Sequence, residues 1–262
     1  PWGRFSAYAD QFERVAFLGN VYAVGSLQAM FDGCTTLANV DLQQLVITPA
    51  TTDASYLFRN CTAVTKVAPS TAATLPPAPD ALPSDGVRLG ALDPADARYL
   101  LSGCTGLEDL TLTGFATGGS ANLEHMLTGA GAEGAAFKLS GIAANAVGAD
   151  LSHMMDGCLA ESVDMSGSAL AADVNVSYLL ANSLRLKTVT LSGMANMPGV
   201  DLSYMLAEDA LLESVTMTNV GSGENANLTS MFAGCSTFVD ASTAAVRMSD
   251  VSPDDEGILS YN

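Results

Sequence analysis

The sequence predicts an α/β repeat solenoid, a single right-handed coil with a parallel β ribbon on one face and short helices on the other. Three observations carry this expectation. An apolar octad recurs eight times, best seen at Leu27-Gln-Ala-Met-Phe-Asp-Gly-Cys34, Leu151-Ser-His-Met-Met-Asp-Gly-Cys158 and Leu228-Thr-Ser-Met-Phe-Ala-Gly-Cys235. With Phe31, Phe58, Leu101, Leu127, Met155, Leu180, Leu206 and Phe232 as markers, the steps are 27, 43, 26, 28, 25, 26 and 26 residues, so one step alone breaks the period. About nine residues after most markers comes an alternating triplet such as Val40-Asp-Leu42, Leu110-Thr-Leu112, Val189-Thr-Leu191 or Val215-Thr-Met217. A fixed period of this size is the signature of stacked repeats that bury one continuous core.

The elements follow in chain order. Residues 1–26 are expected to hold an N-terminal cap and a first strand, with the single Trp2 covering the first turn. Residues 27–67 form repeats one and two. Residues 68–86 form a Pro-rich insertion, because its five prolines cannot sustain a helix or a sheet interior. Residues 87–248 hold repeats three to eight, of 25–28 residues each, and 249–262 is a polar C-terminal tail. In each repeat the triplet is a strand with one buried and one wet face, because its polarity alternates with period two. The octad is expected to be the returning helix. Asp53, Asp150, Asn175, Asp201 and Asn227 stand at its N-cap, where an Asx oxygen takes free amides, and Gly33, Gly103, Gly157 and Gly234 stop it.

Composition fits thin repetitive layers. The chain has 262 residues, 48 % hydrophobic but only 6 % aromatic, so the core is built from Ala, Leu, Val and Met. Ten basic against 28 acidic residues give a formal charge of −18, which opposes binding to nucleic-acid phosphates and anionic lipid. No apolar run approaches the roughly 20 residues of a membrane span. No basic stretch followed by an apolar one stands at the start, so a signal peptide is expected to have been removed or to lie outside this segment.

The run Asx-apolar-Ser/Thr-x-Met-Phe-x-Gly-Cys-x-x-Leu followed by Val-x-Leu-Ser resembles the BspA-like leucine-rich-repeat surface proteins of bacteria and protists. The likeness extends from about Phe12 to Met248 and is sharpest at Met30 to Cys34, Met154 to Cys158 and Met231 to Cys235. It implies a leucine-rich-repeat-like solenoid, an extracellular or cell-surface address and a role in adhesion, and no catalytic motif accompanies it.

Several columns of the repeat invite chemistry. Cys34, Cys61, Cys104, Cys158 and Cys235 share a position with Ala130, Ser183 and, exceptionally, Asp209. A column of small residues reads as buried packing, and an odd count without a CxxC pair argues against a disulfide framework; disulfides between neighbouring turns and metal binding are the alternatives. His125 and His153 share a column with Tyr56, Tyr99, Tyr178 and Tyr204, which predicts an aromatic ladder; a metal bridging the two histidines is the alternative to plain packing. Asn60, Asn175 and Asn227 begin N-x-Ser/Thr sequons and are candidate glycan acceptors, though capping explains two of them. Asp150 and Asp201 suggest a calcium ladder, but Asn at equivalent sites favours capping. Neither metal nor other cofactor is expected.

No Gly-x-Ser-x-Gly elbow, phosphate-binding loop or His-Glu-x-x-His helix occurs, so no catalysis is expected. The candidate binding surface is the wet ribbon face: Asp41 and Gln43 beside Asn39, then Asp109, Thr111, Thr113, Lys138, Ser140, Asp164, Ser166, Thr188, Thr190, Ser192, Ser214, Thr216 and Thr218. It suits a protein or glycan partner. Two functions follow, a binding or adhesion module and a structural scaffold within a larger assembly.

Overall fold

The alternating triplets become strands, and so do segments without that pattern. The computed structural model describes residues 5–17, 21–23, 25–47, 53–68, 86–90, 92–144, 146–193, 199–218, 227–236 and 245–249. Trp2, the interior of the insertion and the tail beyond residue 249 lie outside the described residues. In chain order the strands are β1 (Arg14–Ala16), β2 (Val21–Ala23), β3 (Asn39–Asp41), β4 (Leu45–Ile47), β5 (Lys66–Ala68), β6 (Val87–Arg88), β7 (Asp109–Thr113), β8 (Ala136–Ser140), β9 (Ser162–Met165), β10 (Thr188–Ser192), β11 (Ser214–Thr218) and β12 (Ala245–Ser249). Ten of them form one parallel sheet in the order β1-β3-β6-β5-β7-β8-β9-β10-β11-β12, while β2 and β4 pair on a second wall. The chain is thus a parallel β-solenoid built of repeats.

The octads are not helices, and here the sequence expectation is corrected. In the octad from Leu151 to Cys158, every second amide closes a local turn: Met154 donates to Leu151, Asp156 to His153 and Cys158 to Met155, at 2.9–3.1 Å. The intervening amides of His153, Met155 and Gly157 donate instead to Ser177, Leu179 and Ala181 of the next coil at 2.8–3.1 Å. One bond in two therefore joins coils, where a helix would keep all of them within itself. The backbone enters the left-handed region every fourth residue, as at His153 (φ 54°) and Gly157 (φ 66°). Over eight residues a period of four and a helical period of 3.6 bury the same positions, here Leu151, Met154, Met155 and Cys158. The glycine read as a helix stop is a left-handed turn position repeated along the octad wall. No α-helix occurs among the described residues; a 3-10 turn stands at Phe5–Tyr8.

The Asx column does cap, but it caps these turns. Oδ1 of Asp53, Asp150, Asn175 and Asp201 accepts the amide two residues on at 2.9–3.0 Å, and the column runs coil to coil as bridges from Asp53 to Asn227.

Inside, side chains stack in rows. Phe5, Phe31 and Phe58 lie ring on ring at 5.3 Å, so Phe5 seals the first layer. Leu, Val and Met rows continue the core through Leu107, Leu110, Met154, Met205 and Met217, all 0–1 % exposed.

The insertion has an architectural consequence. β6, which follows it, lies between β3 and β5, with Val87 aligned to Val40 on one side and Val67 on the other. The returning chain thus intercalates a strand. A cavity of about 160 Å³ lies between Leu89–Gly90, Leu92–Asp93 and Leu112–Phe115.

Candidate functional site

The outward face of the sheet is laid down by strict register. β10 and β11 align Thr188 with Ser214, Thr190 with Thr216 and Ser192 with Thr218, while β7 and β8 align Thr111 with Lys138 and Thr113 with Ser140. Inward Val189, Leu191, Val215 and Met217 are buried, so their alternates must point out. Asp109, Thr113, Lys138 and Thr188 are exposed, while Thr111, Ser140, Asp164, Ser166, Thr190, Ser192, Ser214 and Thr216 are half-buried. The side chain of Thr218 lies outside the described residues. Asp164 accepts the Ser166 amide at 2.9 Å, and the bonds to Ser166 hold its carboxyl below the usual range. Lys66 and Asp109 form a loose pair at 3.7 Å.

Asp41 departs from the expected wet position. It is 3 % exposed, Oδ1 accepts the Gln43 amide at 2.8 Å, and Oδ2 stands 3.9 Å from Arg88 of the intercalated strand β6. Its burial follows from the insertion, which places β6 beside β3. Gln43 is half-buried at the corner that follows.

The second wall of interest carries the rings. Tyr56, Tyr99, His125, His153, Tyr178 and Tyr204 stack with centroids 4.8–5.2 Å apart and interplanar angles of 3–27°. That spacing is the distance between adjacent strands, so coil pitch and ring stacking reinforce one another. All six residues have φ of 54–61°, a conformation that costs an L-residue about 1–2 kcal/mol, offset by stacking and by the bonds between coils. His125 Nδ1 is 3.1 Å from the Thr128 hydroxyl, and His153 Nδ1 is 2.8 Å from Asp156 Oδ2. These partners use the ring edges, and no group of three metal-ligating side chains occurs among the described residues.

The cysteine column lies inside. All five thiols are free and buried, and Cys61, Cys104, Cys158 and Cys235 each donate to a backbone carbonyl of the preceding coil at 2.9–3.3 Å. Burial pushes Cys104, Cys158 and Cys235 up to about 12, so they carry no thiolate at neutral pH. Asp209, in the same column, is 0 % exposed; one oxygen accepts the Ser183 amide at 2.8 Å and the other has no hydrogen-bond partner among the described residues. Burial raises its carboxyl to about 9, so it is a neutral acid in the folded chain. The sequon residues Asn60 and Asn227 are exposed, whereas Asn175 is half-buried with its oxygen bonded to Ser177 at 2.8 Å.

Sequence reasoning missed the intercalated β6, the burial of Asp41 and the left-handed ring column. The last had a signal, a Gly or Asn four residues after each Tyr or His in the octads of Tyr56, Tyr99, His125, His153 and Tyr178. Comparison with protein-family models, with curated proteins and with solved structures gives no match for this chain.

Proposed function

We propose that this solenoid is a non-catalytic binding or adhesion module at the cell surface or outside the cell, which offers its strand face to a protein or glycan. The observation that supports this reading is the in-register array of Thr and Ser on β7, β8, β10 and β11, a flat polar surface repeated at the strand spacing. Small hydroxyls at regular intervals suit an extended polar partner that bonds weakly at many points. Strands β7, β8, β10 and β11 carry no Trp, Tyr or Arg, so affinity on this part of the face rests on number rather than on hot spots. The extracellular address, eight repeats and kinship with BspA-like leucine-rich repeats belong to the same proposal and rest on the Met-Phe-x-Gly-Cys motif.

The test is a glycan and matrix-protein binding screen with the full chain and with Thr190→Lys and Thr216→Lys, which place cations on the face without touching the core. A ligand lost in both variants supports the reading; a ligand indifferent to both refutes it. A scaffold role is favoured by one observation, that the end strands β1 and β12 each have a single described neighbour in the sheet. Light scattering at several concentrations separates the two, since a scaffold assembles with concentration and a recognition module stays monomeric.

A further inference from the structure

The two ends of the ring ladder are built differently. At one end, the position one coil beyond Tyr56 is Ala29, too small to stack, and Arg59 occupies the space over the ring instead. Its guanidinium carbon lies 4.7 Å from the Tyr56 centroid, while Nε and Nη2 donate to the two oxygens of Asp32 at 2.9 and 2.6 Å. The stack is thus completed by a planar cation that a carboxylate holds from the side.

At the other end, Tyr178 covers one face of Tyr204 at 4.8 Å and 3°. The position one coil beyond is Ser230, with φ 54° like the rest of the column, and the coils are stacked there because the Tyr204 amide donates to Thr229 at 3.0 Å. Among the described residues no ring or cation covers this second face. The places equivalent to Arg59 and Asp32 are Ala207 and Ala233. A carboxylate is nonetheless present: the Glu208 carboxyl atoms lie 2.5–2.6 Å from where a Cβ at Gly234 would stand, so this acid reaches over the coil of Ser230. Tyr204 and Ser230 thus repeat the Tyr56–Ala29 pair without its arginine, and the carboxylate at this end comes from the Tyr204 coil and leans on the coil of Ser230, where Asp32 stands on the Ala29 coil itself.

We propose that Tyr204, Ser230 and Glu208 form a receptor for the guanidinium group of an arginine on a basic partner segment. Guanidinium is planar and weakly hydrated, so it lies flat on a tyrosine while its edge forks to a carboxylate; an ammonium does neither as well. The net charge of −18 draws basic segments towards the solenoid. This receptor lies on the octad wall and stands independently of the strand-face reading.

The test titrates acetyl-Gly-Arg-Gly-amide into the full chain and follows the arginine δ-methylene protons by NMR, which shift upfield over a tyrosine face. A saturable upfield shift is expected. The lysine peptide should bind about tenfold more weakly, and Glu208→Gln should weaken the arginine peptide about fivefold. Ser230→Tyr adds a seventh ring of a kind the column already accepts at this φ, and should abolish the shift while leaving the circular dichroism unchanged. Equal binding of arginine and lysine, indifference to Glu208→Gln, or preference for acetyl-Gly-Tyr-Gly-amide would each overturn the proposal. If Ser230→Tyr fails to fold, the lysine comparison and Glu208→Gln still decide it.

Discussion

Replacing Asp209 by Asn tests whether a neutral acid sits in the core. Asp209 is fully buried, and its carboxyl rises from 3.8 to about 9, first through burial and then through the charges of Asp156 and Glu208, against the opposing bond from the Ser183 amide. Between those two values the folded chain holds a proton that the unfolded chain has released. Stability therefore falls as pH rises, by about 1.4 kcal/mol per pH unit, and the loss is complete once pH passes the folded value. From 3.8 to neutrality the loss amounts to about 4 kcal/mol. A carboxamide at this position keeps an acceptor for the Ser183 amide and carries no ionisable group, so Asp209→Asn should match the parent near pH 4 and exceed it increasingly towards pH 7. Urea unfolding of both proteins at pH 4, 5, 6 and 7 measures the difference, in which the other carboxylates cancel. A difference that stays constant with pH, or a parent more stable at pH 7, would refute a buried neutral Asp209.

Phe58→Ala removes a fully buried ring stacked on Phe31 and should cost about 3–5 kcal/mol, read as a lower denaturant midpoint with the slope unchanged. Gly157→Ala meets no atom within 4 Å but must adopt φ 66°, so it should cost about 1 kcal/mol through conformation alone; no loss in thermal melting would contradict the left-handed octad backbone. A thiol reagent at pH 8 should leave all five cysteines of the native chain unmodified and label all five in denaturant. Rapid native labelling of any one would contradict the buried column.

The sequence by itself determined the solenoid, its period and the columns, because stacked repeats write the same chemistry at the same interval. The strands around Val163, Val189 and Val215, the packing of the thiols and the stacking of the tyrosines with the two histidines are all legible from spacing. What the tertiary structure alone decided is how each octad spends its hydrogen bonds. Leu151, Met154, Met155 and Cys158 are buried in a helix and in a four-residue turn repeat alike, and only a neighbouring coil can accept the amides of His153, Met155 and Gly157. Likewise no local pattern near Val87 reveals that it lies between Val40 and Val67. With that placement Asp41 passes from an expected wet position to a buried one beside Arg88. Local periodicity reports which side of the chain faces the core; which coil lies next to it is a long-range fact that pairing between distant segments supplies.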